Sequence, residues 1–279
     1  MKSVRGFTLI EMAIVMAILG LVVVGATKIV LPVMDSKKAD VTVGRLILIQ
    51  KALQLYVIRY GCLPCPANAA LNSGSSANAG QSLISGGTTT YVTATIHCTS
   101  SPCYATAGGA GGSGTFGGVP WITLGLSEDD VTDGWDHRIR YDVSTTSTPC
   151  TGGATGLQND NGMVRCALGA SPAYPTGAMV LTDFDSGSSA STGAYVLVSS
   201  GPDGSMARTK GTGSYTTDRY GQEAVATGQG RNYQGGAAGF AYGSFNATNG
   251  TSHFDDIVRT STAANMIQKC GANACGNPF

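Results

Sequence analysis

The sequence predicts an α+β fold in which a long N-terminal transmembrane and amphipathic helix packs on an antiparallel β-sheet with long Gly-rich loops. Two features of the 279-residue chain predict it. Apolar residues with helical spacing occupy the first sixty positions. The rest of the chain consists of short β-type runs separated by clusters of Gly, Ser, Thr and Asn. Separate helical and strand regions are typical of the α+β class.

The charge balance narrows the range of partners. The chain has 17 Lys and Arg against 17 Asp and Glu, and only 12% of its residues are charged. A protein that binds nucleic acid electrostatically needs clustered basic residues to displace the counterions of the phosphate backbone. The chain has no basic surplus, so nucleic acid is not expected as its main partner.

The first element is an apolar segment at residues 7–27, whose only charged residue is Glu11. As a helix, these residues extend about 31 Å, which matches the hydrocarbon core of a bilayer. Lys2 and Arg5 precede the segment. Basic residues favour the cytoplasmic side, so the residues after the segment are expected to be exported. The alternative is a general secretory signal peptide that is cut near Ala26.

Glu11 is unusual in this position because an ionised carboxylate in hydrocarbon is costly unless it is paired. The predicted helix has no cation within two turns of it. Its partner is therefore expected on another chain. The alternative is a side chain that is protonated or that extends to the membrane face.

Beyond the membrane segment the same helix is predicted to continue to Tyr60. Apolar residues recur at spacings of three and four while charged residues mostly occupy other faces, so one face can pack on a partner surface. The apolar residues are Val43, Leu46, Ile49, Leu53, Val57 and Tyr60. Gly61 supplies a C-terminal cap and Pro64 ends the helix, which gives residues 7–60 a length of about 81 Å. Residues 61–279 then form the exported domain.

The exported domain is predicted to contain five strands. They lie at residues 139–143, 162–166, 178–181, 195–198 and 257–259. Asn161-Gly162 is a favoured pair for a hairpin turn before the second of them. Residues 72–87 and 108–118 are low in complexity and are predicted to form loops.

The cysteines indicate an oxidising compartment, which agrees with export. They are Cys62, Cys65, Cys98, Cys103, Cys150, Cys166, Cys270 and Cys275. Disulfides are expected between neighbours in the sequence, although eight cysteines allow about 105 pairings. The alternatives are a zinc site or a redox-active pair in the Cys-x-x-Cys segment that begins at Cys62.

The segment Gly6-Phe7-Thr8-Leu9-Ile10-Glu11 closely resembles the cleavage signature of type IV prepilins. The resemblance implies that residues 1–6 are a cytoplasmic leader, that a prepilin peptidase cuts between Gly6 and Phe7, and that Phe7 is then N-methylated. It also implies assembly into a filament, in which Glu11 pairs with the Phe7 amine of a neighbouring subunit.

The resemblance extends into the exported domain. Residues 60–66 are similar to the Tyr-Gly-x-Leu-Pro turn of pilin-like proteins. Residues 133–141, 195–204 and 255–257 are similar to three segments of the major pseudopilins of type II secretion and follow one another in the same order. Asp136-His137 departs from that pattern by replacing Gly-Asn, and about fifty residues, far more than in the family's short loop, separate Gly204 from Asp255.

The pseudopilin-like segments imply a calcium site. Calcium takes six to eight oxygen ligands. The candidate ligands are Ser199, Asp203, Asp255 and Asp256, with nearby backbone carbonyls. The alternative is an ordinary surface turn that makes no contact with the two later carboxylates.

The sequence lacks the common catalytic motifs, and its three His residues lie far apart. We therefore expect a structural filament subunit and not an enzyme. Its expected partners are further copies or related pilins, the prepilin peptidase and the inner-membrane assembly machinery. Its expected location is the inner membrane before assembly and a periplasmic or extracellular filament afterwards. The alternatives are a type II secretion pseudopilin and a single-pass, membrane-anchored binding protein that does not polymerise.

Overall fold

The computed structural model describes residues 8–71, 73–74, 76–82, 117–143, 179–183, 185–204, 207–211, 232, 240–243, 254–262, 265–266 and 268, with the backbone alone at residues 24–32, 179–180 and 189–192. Several predictions lie outside these residues. They are the leader with Gly6 and Phe7, the strand at 162–166 with its hairpin turn, and the six cysteines after Cys65.

Helix α1 runs over Leu9–Tyr60, which is 52 residues and about 78 Å long. Thr8 caps its N-terminus, and Gly61 follows its last residue with a left-handed φ of 75°. The Gly61 N–H donates to the carbonyl of Val57 at 2.7 Å. A left-handed residue at this position satisfies a terminal carbonyl, and only glycine adopts it without strain.

Within the described ranges, the chain after α1 contains eight strands and one 3-10 turn. The strands are β1 (Gly117–Gly118), β2 (His137–Arg138), β3 (Arg140–Val143), β4 (Met179–Asp183), β5 (Ser189–Ser199), β6 (Arg208–Thr209), β7 (Phe240–Tyr242) and β8 (Ile257–Thr262). The 3-10 turn is Asp129–Val131. With the antiparallel pairs described next, these elements confirm the predicted α+β fold.

The main sheet has the order β1-β3-β5-β4-β7, and β8 pairs with β5 outside this path. Strand β5 is central, because it pairs antiparallel with β3, β4 and β8. Strands β4 and β7 pair parallel, and β2 and β6 form a separate antiparallel pair. The predicted strands at 139–143, 178–181, 195–198 and 257–259 fall on β3, β4, β5 and β8. The predicted loop at 108–118 ends in β1, which the sequence analysis missed.

The core lies between the sheet and one face of α1. Leu46, Ile49, Leu53 and Val57 are buried together with residues of β3 and β5. These four belong to the apolar series with spacings of three and four, which therefore forms the sheet-facing side of the helix. Burying each such side chain contributes about 1.5–3 kcal/mol relative to leaving it exposed.

Two described stretches of α1 are apolar enough to be considered for a membrane. Val33–Tyr60 passes the length and hydropathy criteria, and Leu9–Val23 is a shorter apolar stretch. Within Val33–Tyr60, one side of residues 42–57 is buried in the protein, so lipid cannot reach that side. Every side chain of Leu9–Val23 is exposed. Burial therefore favours Leu9–Val23 as the part of α1 that enters a membrane.

Candidate functional site

The start of α1 is closed by a reciprocal capping box between Thr8 and Glu11. The Glu11 N–H donates to the Thr8 hydroxyl oxygen at 3.3 Å. The Glu11 Oε2 atom accepts hydrogen bonds from the Thr8 N–H and from the Thr8 hydroxyl, each at 2.9 Å. Glu11 thus has a partner in its own chain, besides the one predicted on another chain. The Thr-x-x-Glu spacing is the recognised capping-box signal and would have revealed it.

Far from the helix start, residues 199–204 pack against Asp255 and Asp256; we call these residues together the carboxylate turn. Asp203, Asp255 and Asp256 are all buried. The Asp203 N–H donates to Oδ2 of Asp255 at 3.1 Å. Gly201 has a φ of 59°, and a Cβ there would lie 2.2 Å from the Asp255 carbonyl oxygen. The turn therefore reaches Asp255 only with glycine at that position.

Asp256 is held by a residue that the sequence analysis did not find. The Asn232 Nδ2 atom donates to Oδ2 of Asp256 at 2.8 Å, and Nη1 of Arg140 donates to the Asn232 carbonyl at 3.1 Å. Burial, reinforced by the Asp255 and Asp203 carboxylates, raises the pKa of Asp256 well above its usual value. Asn232 carries no sequence signal that connects it with this turn.

The carboxylate turn offers oxygen donors, which are the ligands that calcium takes. Within the described ranges, no group of three or more His, Cys, Asp and Glu side chains is arranged to hold a metal ion. The Ser199 hydroxyl donates to Asp133 at 2.7 Å, and Asp256 is bonded to Asn232. Calcium binding stays a prediction.

Asp133 contacts the carboxylate turn through Ser199. Its Oδ2 atom accepts from the Ser199 hydroxyl, and its Oδ1 atom accepts from the N–H groups of Trp135 and His137 at 2.9 Å each. Burial raises the pKa of Asp133, although His137 and these hydrogen bonds act in the opposite direction. Asp136, which follows in this segment, has a φ of 65°. Aspartate tolerates this left-handed conformation better than most residues.

Ser199, Asp133 and His137 do not form a hydrolytic triad. The serine hydroxyl bonds to the carboxylate and not to the imidazole, whereas a nucleophile needs contact with its base. The Nδ1 atom of His137 lies 3.8 Å from Oδ2 of Asp133. His137 instead packs on Gly204, where an added Cβ would lie 2.3 Å from its Cε1 atom. The contacts of Asp133 and His137 therefore join residues 133–137 to residues 199–204.

The segment that contains Asp133 also contacts α1. Nη1 of Arg45 donates to the carbonyl oxygens of Thr132 and Asp133. The Gly134 N–H donates to the Thr42 hydroxyl oxygen at 2.9 Å. A Cβ at Gly134 would lie 2.3 Å from the backbone carbonyl oxygen of Lys38 on α1. The helix and this segment are therefore held at close range.

Cys62 and Cys65 follow the end of α1, and both are buried and disulfide-bonded. The hydroxyl of Tyr141 on β3 donates to the carbonyl of Pro64 at 2.9 Å, which anchors this segment to the sheet. Thiol–disulfide exchange needs access to a sulfur atom. Burial therefore favours a structural role for these two cysteines over a redox role.

Residues 1–27 match the family model of the prokaryotic N-terminal methylation motif. The chain carries a prepilin-type N-terminus. This motif is the hallmark of type IV pilin and pseudopilin precursors, so the resemblance seen between Gly6 and Glu11 is confirmed. The match supports a pilin-like or pseudopilin precursor and extends over 27 of the 279 residues. Neither the curated proteins nor the solved structures compared with this chain give a match.

Proposed function

We propose that this chain is a type IV pilin-like structural subunit that is cut after Gly6 and polymerises through α1 into a helical filament. The observation that carries the proposal is the prepilin-type motif at residues 1–27. The partners follow from it: a prepilin peptidase for the cut, and further copies or related pilins with the inner-membrane assembly machinery for the filament. The subunit is located in the inner membrane before assembly, and the filament lies in the periplasm or outside the cell.

The surface of α1 supports assembly through this helix. Leu9–Val23 is exposed throughout, and a second apolar series continues in the exported half, on the side away from the sheet. Its members Met34, Val41, Leu48 and Leu55 are 51%, 47%, 40% and 67% exposed. These residues recur every seven positions, which keeps them on one face of the helix, as in helices that pack along their length. Neighbouring helices in a filament would cover the face that lipid and the sheet leave open.

A pseudopilin of a type II secretion system is the second candidate. It is favoured by the contact of residues 199–204 with Asp255, which brings together the segments that resemble the calcium loop of those proteins. In either case we propose that the six cysteines after Cys65 also form disulfides, because they share its exported compartment.

The N-terminus of the purified protein tests the proposal. Mass spectrometry should find a chain that begins with N-methylated Phe7, and Gly6→Val should leave the precursor uncut in the membrane. The matched control is Gly20→Val, because a Cβ at Gly20 meets nothing within 4 Å; this variant should be cut normally. A cut near Ala26, or an intact precursor in the wild type, would contradict the proposal. A cut protein found only as a membrane monomer would support the anchored binding protein instead.

A further inference from the structure

Asp133 is bonded both to the carboxylate turn and to helix α1. Ser199 belongs to the carboxylate turn, and its hydroxyl donates to Asp133 Oδ2 at 2.7 Å. The Asp133 carbonyl oxygen accepts from Nη1 of Arg45 on α1 at 2.9 Å. The Asp133 side chain is thus attached to the turn while its backbone is attached to the helix.

Neighbouring contacts limit how this junction can move. Both remaining hydrogen bonds to the Asp133 carboxylate come from N–H groups of its own segment, so rotation of the side chain would break them. Gly134, the next residue, donates to Thr42 on α1 at 2.9 Å. A Cβ at Gly134 would lie 2.3 Å from the Lys38 carbonyl, which shows that backbone and helix are already in contact. Buried, close-packed groups of this kind transmit a displacement.

A second contact joins the carboxylate turn to the segment that contains Asp133. His137 packs on Gly204 at the far end of the turn, where an added Cβ would lie 2.3 Å from the ring. Gly201, within the turn, packs equally closely on Asp255. A shift of Asp203 or Asp255 would therefore reach residues 133–137 at two places, through Ser199 and through His137.

We propose that Asp133 is a positioning residue that couples the carboxylate turn to the exported half of α1. A change at the turn, such as the binding or release of a ligand by its carboxylates, then alters the hydrogen bonds that join Thr42 and Arg45 to residues 132–134. The coupling is a property of the folded subunit and does not depend on polymerisation. It would give any event at the turn a route to the helix that carries the exposed apolar series.

A double-mutant cycle in the full chain in detergent tests the coupling. Ser199→Ala removes the bond between the turn and Asp133, and Thr42→Val removes the bond between the helix and Gly134. The two residues bond to adjacent residues of one segment, so we expect their effects on the unfolding equilibrium constant to depart from the product of the single effects by about threefold or more. Independent sites would give the product within about twofold.

Thr123→Val is the matched control for Thr42→Val. The Thr123 hydroxyl also accepts a backbone N–H, that of Ser82, at 2.9 Å, but it has no bond to residues 132–137 among those described. Combined with Ser199→Ala, this control should give the simple product. If the Thr42 and Thr123 cycles are both simple products, Asp133 does not couple the two parts.

Hydrogen exchange gives a second readout, which a merely local role of Ser199 would not change. Ser199→Ala should speed amide exchange at residues 42–46 of α1 relative to residues 53–57, and Ser199→Thr, which keeps the hydroxyl, should restore the wild-type rates. If Ser199→Ala does not fold, Asp133→Asn serves in its place, because its amide keeps the shape of the carboxylate. Unchanged exchange at residues 42–46 in the variant that folds would overturn the proposal.

Discussion

The buried carboxyl group of Asp256 is expected to make stability depend on pH. Its folded-state pKa lies above the ordinary value of an aspartate because of burial and the neighbouring Asp255 and Asp203. Between the ordinary and the raised pKa, the folded state binds more protons than the unfolded state. The free energy of unfolding therefore falls as the pH rises through this range.

Asp256→Asn should remove the contribution of Asp256 to this dependence, because an amide does not ionise. In the presence of a chelator, we expect the variant to gain stability relative to the wild type as the pH rises above about 4, the ordinary pKa of an aspartate. Denaturant unfolding at several pH values measures the difference. The control Asp40→Asn replaces an exposed carboxylate on α1 and should show little change. A variant that loses stability relative to the wild type as the pH rises would contradict the assignment.

At the scale of elements, Arg45 holds the segment that follows the 3-10 turn against α1. Its guanidinium donates to two backbone carbonyls, those of Thr132 and Asp133. Hydrogen bonds from a charged donor contribute about 1.5–3 kcal/mol each. Arg45→Met should therefore lower the free energy of unfolding by about 1.5–3 kcal/mol or more, as measured by denaturant unfolding.

Arg59→Met is the control for Arg45→Met, because it removes an arginine from the same helix. Arg59 is exposed and lies 5.2 Å from the ring centroid of Tyr60, an interaction that contributes about 0.5–1 kcal/mol at an exposed site. Equal losses in the two variants would show that the bonds of Arg45 to Thr132 and Asp133 stabilise the protein no more than the contact of Arg59 does.

The carboxylate turn is the element on which calcium binding is predicted. A ligand that binds only the folded state raises its stability in proportion to the logarithm of the ligand concentration. Calcium should therefore raise the melting temperature of the full chain above its value in chelator, and Asp255→Ala should abolish the rise. Magnesium is a control, because it needs a smaller, octahedral set of ligands. Equal melting temperatures in calcium and chelator would exclude the site.

The sequence predicted the elements whose signals are local and failed where pairing is long-range. The spacing of Leu46, Ile49 and Leu53 predicted the buried face of α1, and β-branched or aromatic runs predicted β3, β4, β5 and β8. Strand β7 has only three residues, lies beside a Gly-rich stretch and pairs parallel with a distant strand, so no local pattern indicates it. For the same reason Asn232 was missed, whereas the Thr8 cap was overlooked despite a visible signal.

At the scale of the molecule, α1 joins two environments in one continuous helix. Leu9–Val23 exposes every side chain, while residues 42–57 are buried on one side and exposed on the other. Apolar surface that is open along most of about 78 Å is costly in water. A bilayer before assembly and neighbouring helices after it would each cover this surface.

Glu11 is the residue that can show whether packing against neighbouring helices requires a specific contact between chains. In the subunit its carboxylate is bonded to Thr8, and in a filament we expect the amine of a neighbouring Phe7 to bind it as well or instead. Glu11→Leu removes the charge and makes membrane insertion easier. We expect normal subunit levels by immunoblot but few filaments after shearing.

Thr8→Val separates the two roles of Glu11, because it removes the capping hydroxyl and leaves the carboxylate in place. If Glu11 acts by pairing with another chain, Thr8→Val should assemble nearly as well as the wild type, while Glu11→Leu should not. If Glu11 acts only as a helix cap, both variants should reduce the filament yield to a similar extent. Ile14→Leu, an apolar exchange at an exposed position of the same segment, controls for general effects on packing. Wild-type filament yield from Glu11→Leu would show that assembly does not depend on this carboxylate.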